Sequence, residues 1–149
     1  MATYDLLVIG GGPGGYLCAE RAAQGGLQVA LFEREHLGGT CLNEGCVPTK
    51  TLLNSAKLYR HATESAAFGV TAEKVTFDHA KVVERKGKVV HTLVSGVEAT
   101  MKANKVTVIR AAAEIQGRAD DGFAVQAGGE TLHLLKNSGI LEIEFMAAR

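Results

Sequence analysis

The chain has 149 residues, the length of one ordinary domain and enough to bury a core. Its 46% apolar and 21% charged composition excludes a disordered or membrane-spanning chain, and 16 basic side chains against 16 acidic ones leave no general pull toward nucleic acid or anionic lipid. Three cysteines are too few for a secreted disulfide framework, and MATYDLLVIGGG carries neither a basic leader nor an apolar run of membrane length, so the cytoplasm is the expected compartment.

YDLLVI, Tyr4 to Ile9, is a short apolar run without helical period, as in a strand buried on both faces of a parallel sheet. GYLCAERAAQ sets Leu17, Ala19, Ala22 and Ala23 among helix formers until Gly25 and Gly26 stop it. LQVALFE, Leu27 to Glu33, is a second buried strand, which completes a βαβ unit with a right-handed crossover. TKTLLNSAKLYRHATESAA predicts a helix over 49–67 with Leu52, Leu53, Ala56 and Tyr59 on one face. FGVTAEKV, Phe68 to Val75, has turn character. From Phe77 to Ala103 runs a long amphipathic pattern that includes Val82, Val83, Val89, Val90, Leu93, Val94, Val97 and Met101. KVTVIR is a third strand. AAEIQG, GFAVQA and ETLHLL, separated by RADDG and GG, have the rhythm of a small antiparallel meander. The order is that of an α/β domain.

Between the first strand and its helix, IGGGPGG contains G-x-G-x-x-G as Gly10, Gly12 and Gly15, with Gly11, Pro13 and Gly14 between them. Gly10 allows a tight turn, Gly12 lets backbone amides approach a pyrophosphate, and Gly15 lets helix and strand pack closely. Glu33 ends the next strand 18 residues beyond Gly15, placed to accept hydrogen bonds from ribose hydroxyls and to repel a 2′-phosphate. The motif therefore favours FAD or NAD over NADP without separating the first two. The alternative is a glycine turn with an incidental surface Glu.

GGTCLNEGCVPTK places Cys41 and Cys46 with four residues between them. A zinc site needs about four ligands, and neither Cys18 nor His36, His61, His79, His91 and His133 stand at ligand spacing, so no metal is expected. Cys18 reads as a small buried hydrophobe. In an unbroken helix residues five apart have Cα atoms roughly 8.5 Å apart, from the standard rise and radius, against the ~7 Å limit for a disulfide. A bonded pair therefore requires a distorted segment, and Gly45 and Pro48 supply the means. Cys46 then lies near a helix start, where unpaired N–H groups and the helix dipole stabilise a thiolate.

GGGPGGY, Glu33, GGTCLNEGCVPTK and KVTVIRAAAEIQG together resemble the N-terminal, Rossmann-like FAD-binding half-domain of the pyridine nucleotide-disulfide oxidoreductases, and within them the dihydrolipoamide dehydrogenase branch. The resemblance covers roughly residues 1 to 130. It implies that Gly10 to Gly15 and Glu33 hold the ADP part of FAD and that Gly39 and Thr40 pass beside its flavin side. Cys41 would be the interchange thiol that meets a dithiol substrate, and Cys46 the thiol beside the flavin. Lys50 would lie near the flavin ring, with a solvent-facing helix lysine as the alternative, and Ala113 would touch the adenine end through its backbone. In that family electrons run from dihydrolipoamide, carried on a lipoyl-domain protein, through the disulfide and FAD to NAD, in a homodimer.

The family's second glycine motif for NAD and its C-terminal interface domain have no counterpart here. Residues 1–131 are read as an incomplete FAD-binding domain with the redox pair, and 132–149 as a divergent tail. From Ser138, SGILEIEFMAAR replaces the family's next FAD-contacting turn, which suggests a frameshift or a cloning junction; a divergent final strand is the alternative. On this reading the chain alone is not expected to turn over with NAD. A non-catalytic FAD-binding fragment and a thiol-redox protein without flavin are the competing functions. Sequencing the source locus checks the tail: an intact reading frame continuing downstream in the tail's own frame overturns its non-native origin.

Overall fold

Apolar runs from both halves of the chain meet in a single sheet. The structure, a computed structural model, describes residues 3–119 and 122–142. β1 (Thr3–Ile9), β2 (Val29–Phe32) and β3 (Thr107–Ile109) run parallel. α1 (Pro13–Gln24) crosses from β1 to β2, and α4 (His79–Ala103), capped by Asp78 through its bond from Lys81 N–H, leads into β3. Between β2 and α4 lie α2 (Gly39–Asn43), α3 (Cys46–Thr63) and a 3₁₀ turn at Ser65–Phe68. β4 (Ala113–Ala119), β5 (Gly122–Ala127) and β6 (Glu130–Glu142) form the antiparallel part.

Side-chain alternation divides β1 and β2 between two cores. Val8, Val29 and Leu31 face Ala19 of α1 and Val97 and Met101 of α4, while Leu7, Ala30 and Phe32 pack with Val125 and Ala127 of β5. This is the continuous apolar run expected of strands covered on both faces.

The meander is joined to the parallel sheet and folds over its second face, where β5 meets Leu7, Ala30 and Phe32. β6 pairs antiparallel with β5 and parallel with β1, in the order β3-β2-β1-β6-β5-β4. Thr3 lies opposite His133 and Tyr4 opposite Leu134; after a register shift, Leu6 to Ile9 lie opposite Gly139 to Glu142. A strand of 13 residues is long enough to serve two ladders, so the expected parallel sheet and meander become one six-stranded sheet. β6 also crosses the expected boundary between residues 131 and 132 without a break, and residues 143–149 of the tail lie outside the described residues.

α3 starts at Cys46, three residues before the expected start, and ends at Thr63. Pro48 fits because the first N–H groups of a helix have no intrahelical acceptor. The expected apolar face of this helix is exposed at Leu52, Leu53 and Tyr59. α3 lies against α2 and α4 and buries Pro48 and Thr51 instead, so the leucine row points outward.

The joint between β1 and α1 leaves no room for a side chain: a Cβ on Gly15 would stand 1.7 Å from the Gly10 carbonyl oxygen. Substitution Gly15→Ala is expected to cost about 3 kcal/mol or more, at the upper end for overpacked sites, because backbone rather than a flexible side chain must move. Urea unfolding of the variant against the parent measures it.

Candidate functional site

Gly10 leaves β1 with φ of 100°, a left-handed conformation that suits glycine, and donates its N–H to Phe32 O at 2.9 Å. α1 then begins at Pro13, in the first turn where its missing N–H costs nothing. Nothing stands within 4 Å of a Cβ placed on Gly12, so the N-terminus of α1 opens onto free space with its unpaired N–H groups. That is the shape of an anion cradle at a helix of twelve residues.

Glu33 is half-buried at the end of β2, its own N–H bonded to Ile109 O at 3.0 Å. Its carboxylate accepts Gly11 N–H at 2.8 Å on Oε2 and Glu35 N–H at 2.8 Å on Oε1. The sequence expectation gave this carboxylate a ribose partner only; it also braces the glycine turn. Each oxygen keeps a further acceptor position, so a ribose hydroxyl is compatible with both bonds.

The cysteine segment is fastened to the same turn. Gly38, at φ of 94°, donates to Gly11 O at 2.8 Å, and a Cβ on Gly39 would stand 2.9 Å from Gly12 Cα. Leu37, buried, plugs the main core beside them. Thr40 is exposed on the first turn of α2, and its carbonyl accepts Glu44 N–H at 3.0 Å and Gly45 N–H at 2.6 Å to end that helix. The break at Glu44 and Gly45, with Gly45 at ψ of −99°, is the distortion the cysteine spacing requires.

Both cysteines are thiols in this structure, Cys41 half-buried and Cys46 exposed. A side-chain hydrogen bond with Cys46 is the main reason the Cys41 thiol lies above its ordinary value; burial and the charge of Cys46 add to the rise. The Cys46 backbone N–H donates to the Cys41 sulfur, which pulls the other way, as does the charge of Lys50. The expectation aimed the free N–H groups at the start of α3 toward Cys46 itself; the first of them serves Cys41. Cys18 is half-buried against the main core, as a small hydrophobe.

Lys50 is exposed in α3, near enough for its charge to act on Cys41. Ala113 stands apart. It opens β4 opposite Ala127 and packs with the Leu7 and Phe32 core, and its link to the turn runs along the chain to Ile109 O. Two positioning side chains escaped sequence reasoning. Asn43 donates Nδ2 to Gly39 O at 2.9 Å and Leu37 O at 3.1 Å, and Arg110 donates to Glu98 Oε1 at 2.5 Å and Glu35 O at 3.2 Å. An Asn two residues before a glycine reads as turn chemistry, and Arg110 reaches the Glu35 carbonyl across 75 residues. Among the described residues no three His, Cys, Asp or Glu side chains converge as a metal site requires, and no helix is long and apolar enough to cross a membrane.

A family model described as pyridine nucleotide-disulphide oxidoreductase matches residues 4–133. A dihydrolipoyl dehydrogenase of Zymomonas mobilis is 50% identical over 114 residues, which cover 76% of this chain and 24% of the relative. One of Bacillus subtilis is 49% identical over 118 residues, 78% of this chain and 25% of the relative. One of Mycobacterium tuberculosis is 49% identical over 140 residues, 93% of this chain and 28% of the relative. The chain spans about a quarter of the length of these curated relatives.

Because the folded Cys41 thiol lies above its ordinary value, the native dithiol state holds its proton more tightly than the unfolded chain. The stabilisation is present in full below the ordinary thiol range and is lost as pH rises through that range to the raised value. Chemical denaturation of the reduced chain at stepped pH is expected to show this decline, and Cys41→Ser to remove it.

Proposed function

The chain belongs to the pyridine nucleotide-disulphide oxidoreductase family, and from that premise we propose that it carries the flavin-binding and disulfide part of an FAD-dependent dihydrolipoyl dehydrogenase. One observation carries the reading. A glycine turn of dinucleotide-binding shape and a pair of adjacent thiols are locked to each other by the Gly38 bond to Gly11 and by the contact of Gly39 with Gly12. The residues fit a dinucleotide: open space at Gly12, a free helix N-terminus, and spare acceptor positions on Glu33.

Gly10, Gly11, Gly12, Pro13, Gly14 and Gly15 with Glu33 hold the ADP part of FAD in this proposal, and Ala113 meets its adenine end. Gly39 and Thr40 line the flavin side, where Lys50 adds a positive charge. Bound FAD supplies the two-electron relay that side chains lack.

The chain's own step is thiol–disulfide exchange. A thiolate of the dithiol substrate attacks the sulfur of Cys41 in the Cys41–Cys46 disulfide, and the S–S bond breaks to release Cys46 as a thiolate. The second substrate thiol attacks the substrate sulfur of the mixed disulfide, the bond to Cys41 breaks, and the proton passes to the departing Cys41 sulfur. Two electrons have then passed to the cysteine pair, and the substrate has closed as a cyclic disulfide. On Cys41 the N–H at the start of α3 and Lys50 act toward the thiolate, against the larger effect of the Cys46 side chain, which holds the thiol form. In this proposal the final acceptor is NAD, the dithiol is borne on a lipoyl-domain protein, and the assembly is a homodimer.

Purified chain is expected to take up FAD, to show flavin absorption, and to develop a long-wavelength band when a dithiol is added. FAD is also expected to protect exposed Cys46 from iodoacetamide and leave Cys18 unchanged. A folded, colourless chain whose Cys46 is alkylated equally fast with and without FAD overturns the proposal, and stoichiometric zinc on such a chain supports a metal-binding thiol protein instead.

A further inference from the structure

We infer that Asn43 is a positioning residue for Cys41: its side-chain amide braces the short helix that carries this thiol. The inference rests on the reading of Cys41 and Cys46 as a redox couple. α2 has five residues, Gly39–Asn43, and a helix that short does not hold itself in water. Asn43 spends its amide nitrogen on it, donating to Gly39 O at 2.9 Å and to Leu37 O at 3.1 Å. Leu37 is buried in the main core, so one bond anchors the end of α2 to a point that moves only if the core opens. Gly39 lies against Gly12, so the other bond ties the same end to the glycine turn. Cys41 is the middle residue of this braced helix.

Removing the amide leaves the start of α2 fixed by the Gly38 bond to Gly11 and frees the segment that follows. The Cys41 sulfur then samples more positions relative to Cys46, and a disulfide, which tolerates a narrow range of Cα and Cβ separations, becomes less favoured. The amide matters for its donors. Asp has the same shape but presents only acceptors to two carbonyl oxygens when ionised, whereas Ser keeps one donor that reaches the carbonyl four residues back. The disulfide should therefore weaken in the order Asn, Ser, Ala, Asp at position 43.

The test equilibrates the chain with glutathione buffers, in which oxidised glutathione takes two electrons and two protons from Cys41 and Cys46 and leaves as two reduced molecules. Acid trapping and mass analysis give the ratio of disulfide to dithiol. N43A is expected to lower the equilibrium constant for disulfide formation about tenfold, a potential about 30 mV more positive for a two-electron couple, with N43S between it and the parent. Alkylation of Cys41 should quicken in the same order while that of Cys18, in the core, stays constant. Equal constants for parent, N43S and N43A overturn the inference. Faster alkylation of Cys18 and Cys41 together also overturns it, since that marks general loosening and not local release. If N43D does not fold, the comparison of N43S with N43A decides. A parent chain that forms no Cys41–Cys46 disulfide at any glutathione ratio sinks the redox reading itself, a result distinct from unchanged variants.

Discussion

Two approaches between backbone segments, each closer than a Cβ allows, hold the whole site. One joins Gly15 of α1 to the carbonyl of Gly10, and the other lays Gly39 on the Cα of Gly12. The first sets the angle at which α1 leaves β1 and so aims its N-terminal N–H groups. The second brings the cysteine segment against the same turn. Glycine at these positions gives up chain entropy, and the offset comes from the core that Val8, Leu31, Leu37 and Met101 build around the joint. Chemistry and scaffold are thus inseparable here, because the residues without side chains decide where those with side chains stand.

Electrostatics at the joint is made largely of backbone groups. Glu33 gathers the N–H groups of Gly11 and Glu35, and the first N–H of α3 meets the Cys41 sulfur. Such groups cost little entropy to orient because the chain already holds them. Arg110 braces the outside, linking Glu98 of α4 with the carbonyl of Glu35. Its ion pair is half-exposed and contributes little to stability on its own; its geometric effect is to hold the loop after β2.

Local patterns in the sequence carried most of this. The buried runs at Tyr4–Ile9 and Leu27–Glu33, the glycine motif and the cysteine spacing each express a constraint that acts within a few residues, and the structure places β1, β2, the turn and the helix break accordingly. What escaped depends on distant partners. Periodicity identified the apolar face of α3 but could not say whether another element covers Leu52, Leu53 and Tyr59. The double pairing of β6 needs β1 and β5 at once, and the carbonyls that Asn43 binds become available only after the loop folds back on Gly11.

The pairing of β6 with β1 bears on the order of assembly. Thr3 and His133 are neighbours across the sheet, so the N-terminal strand, first to be synthesised, keeps one hydrogen-bonding edge open until nearly the whole described chain exists. Closing so large a loop is slow compared with forming the local α1 and β2 crossover, and an open edge in the interval is a template for pairing with other chains. A strand central to the finished sheet is therefore open along one edge until late in synthesis, and the βαβ unit with its glycine turn stands ready before its sheet is closed.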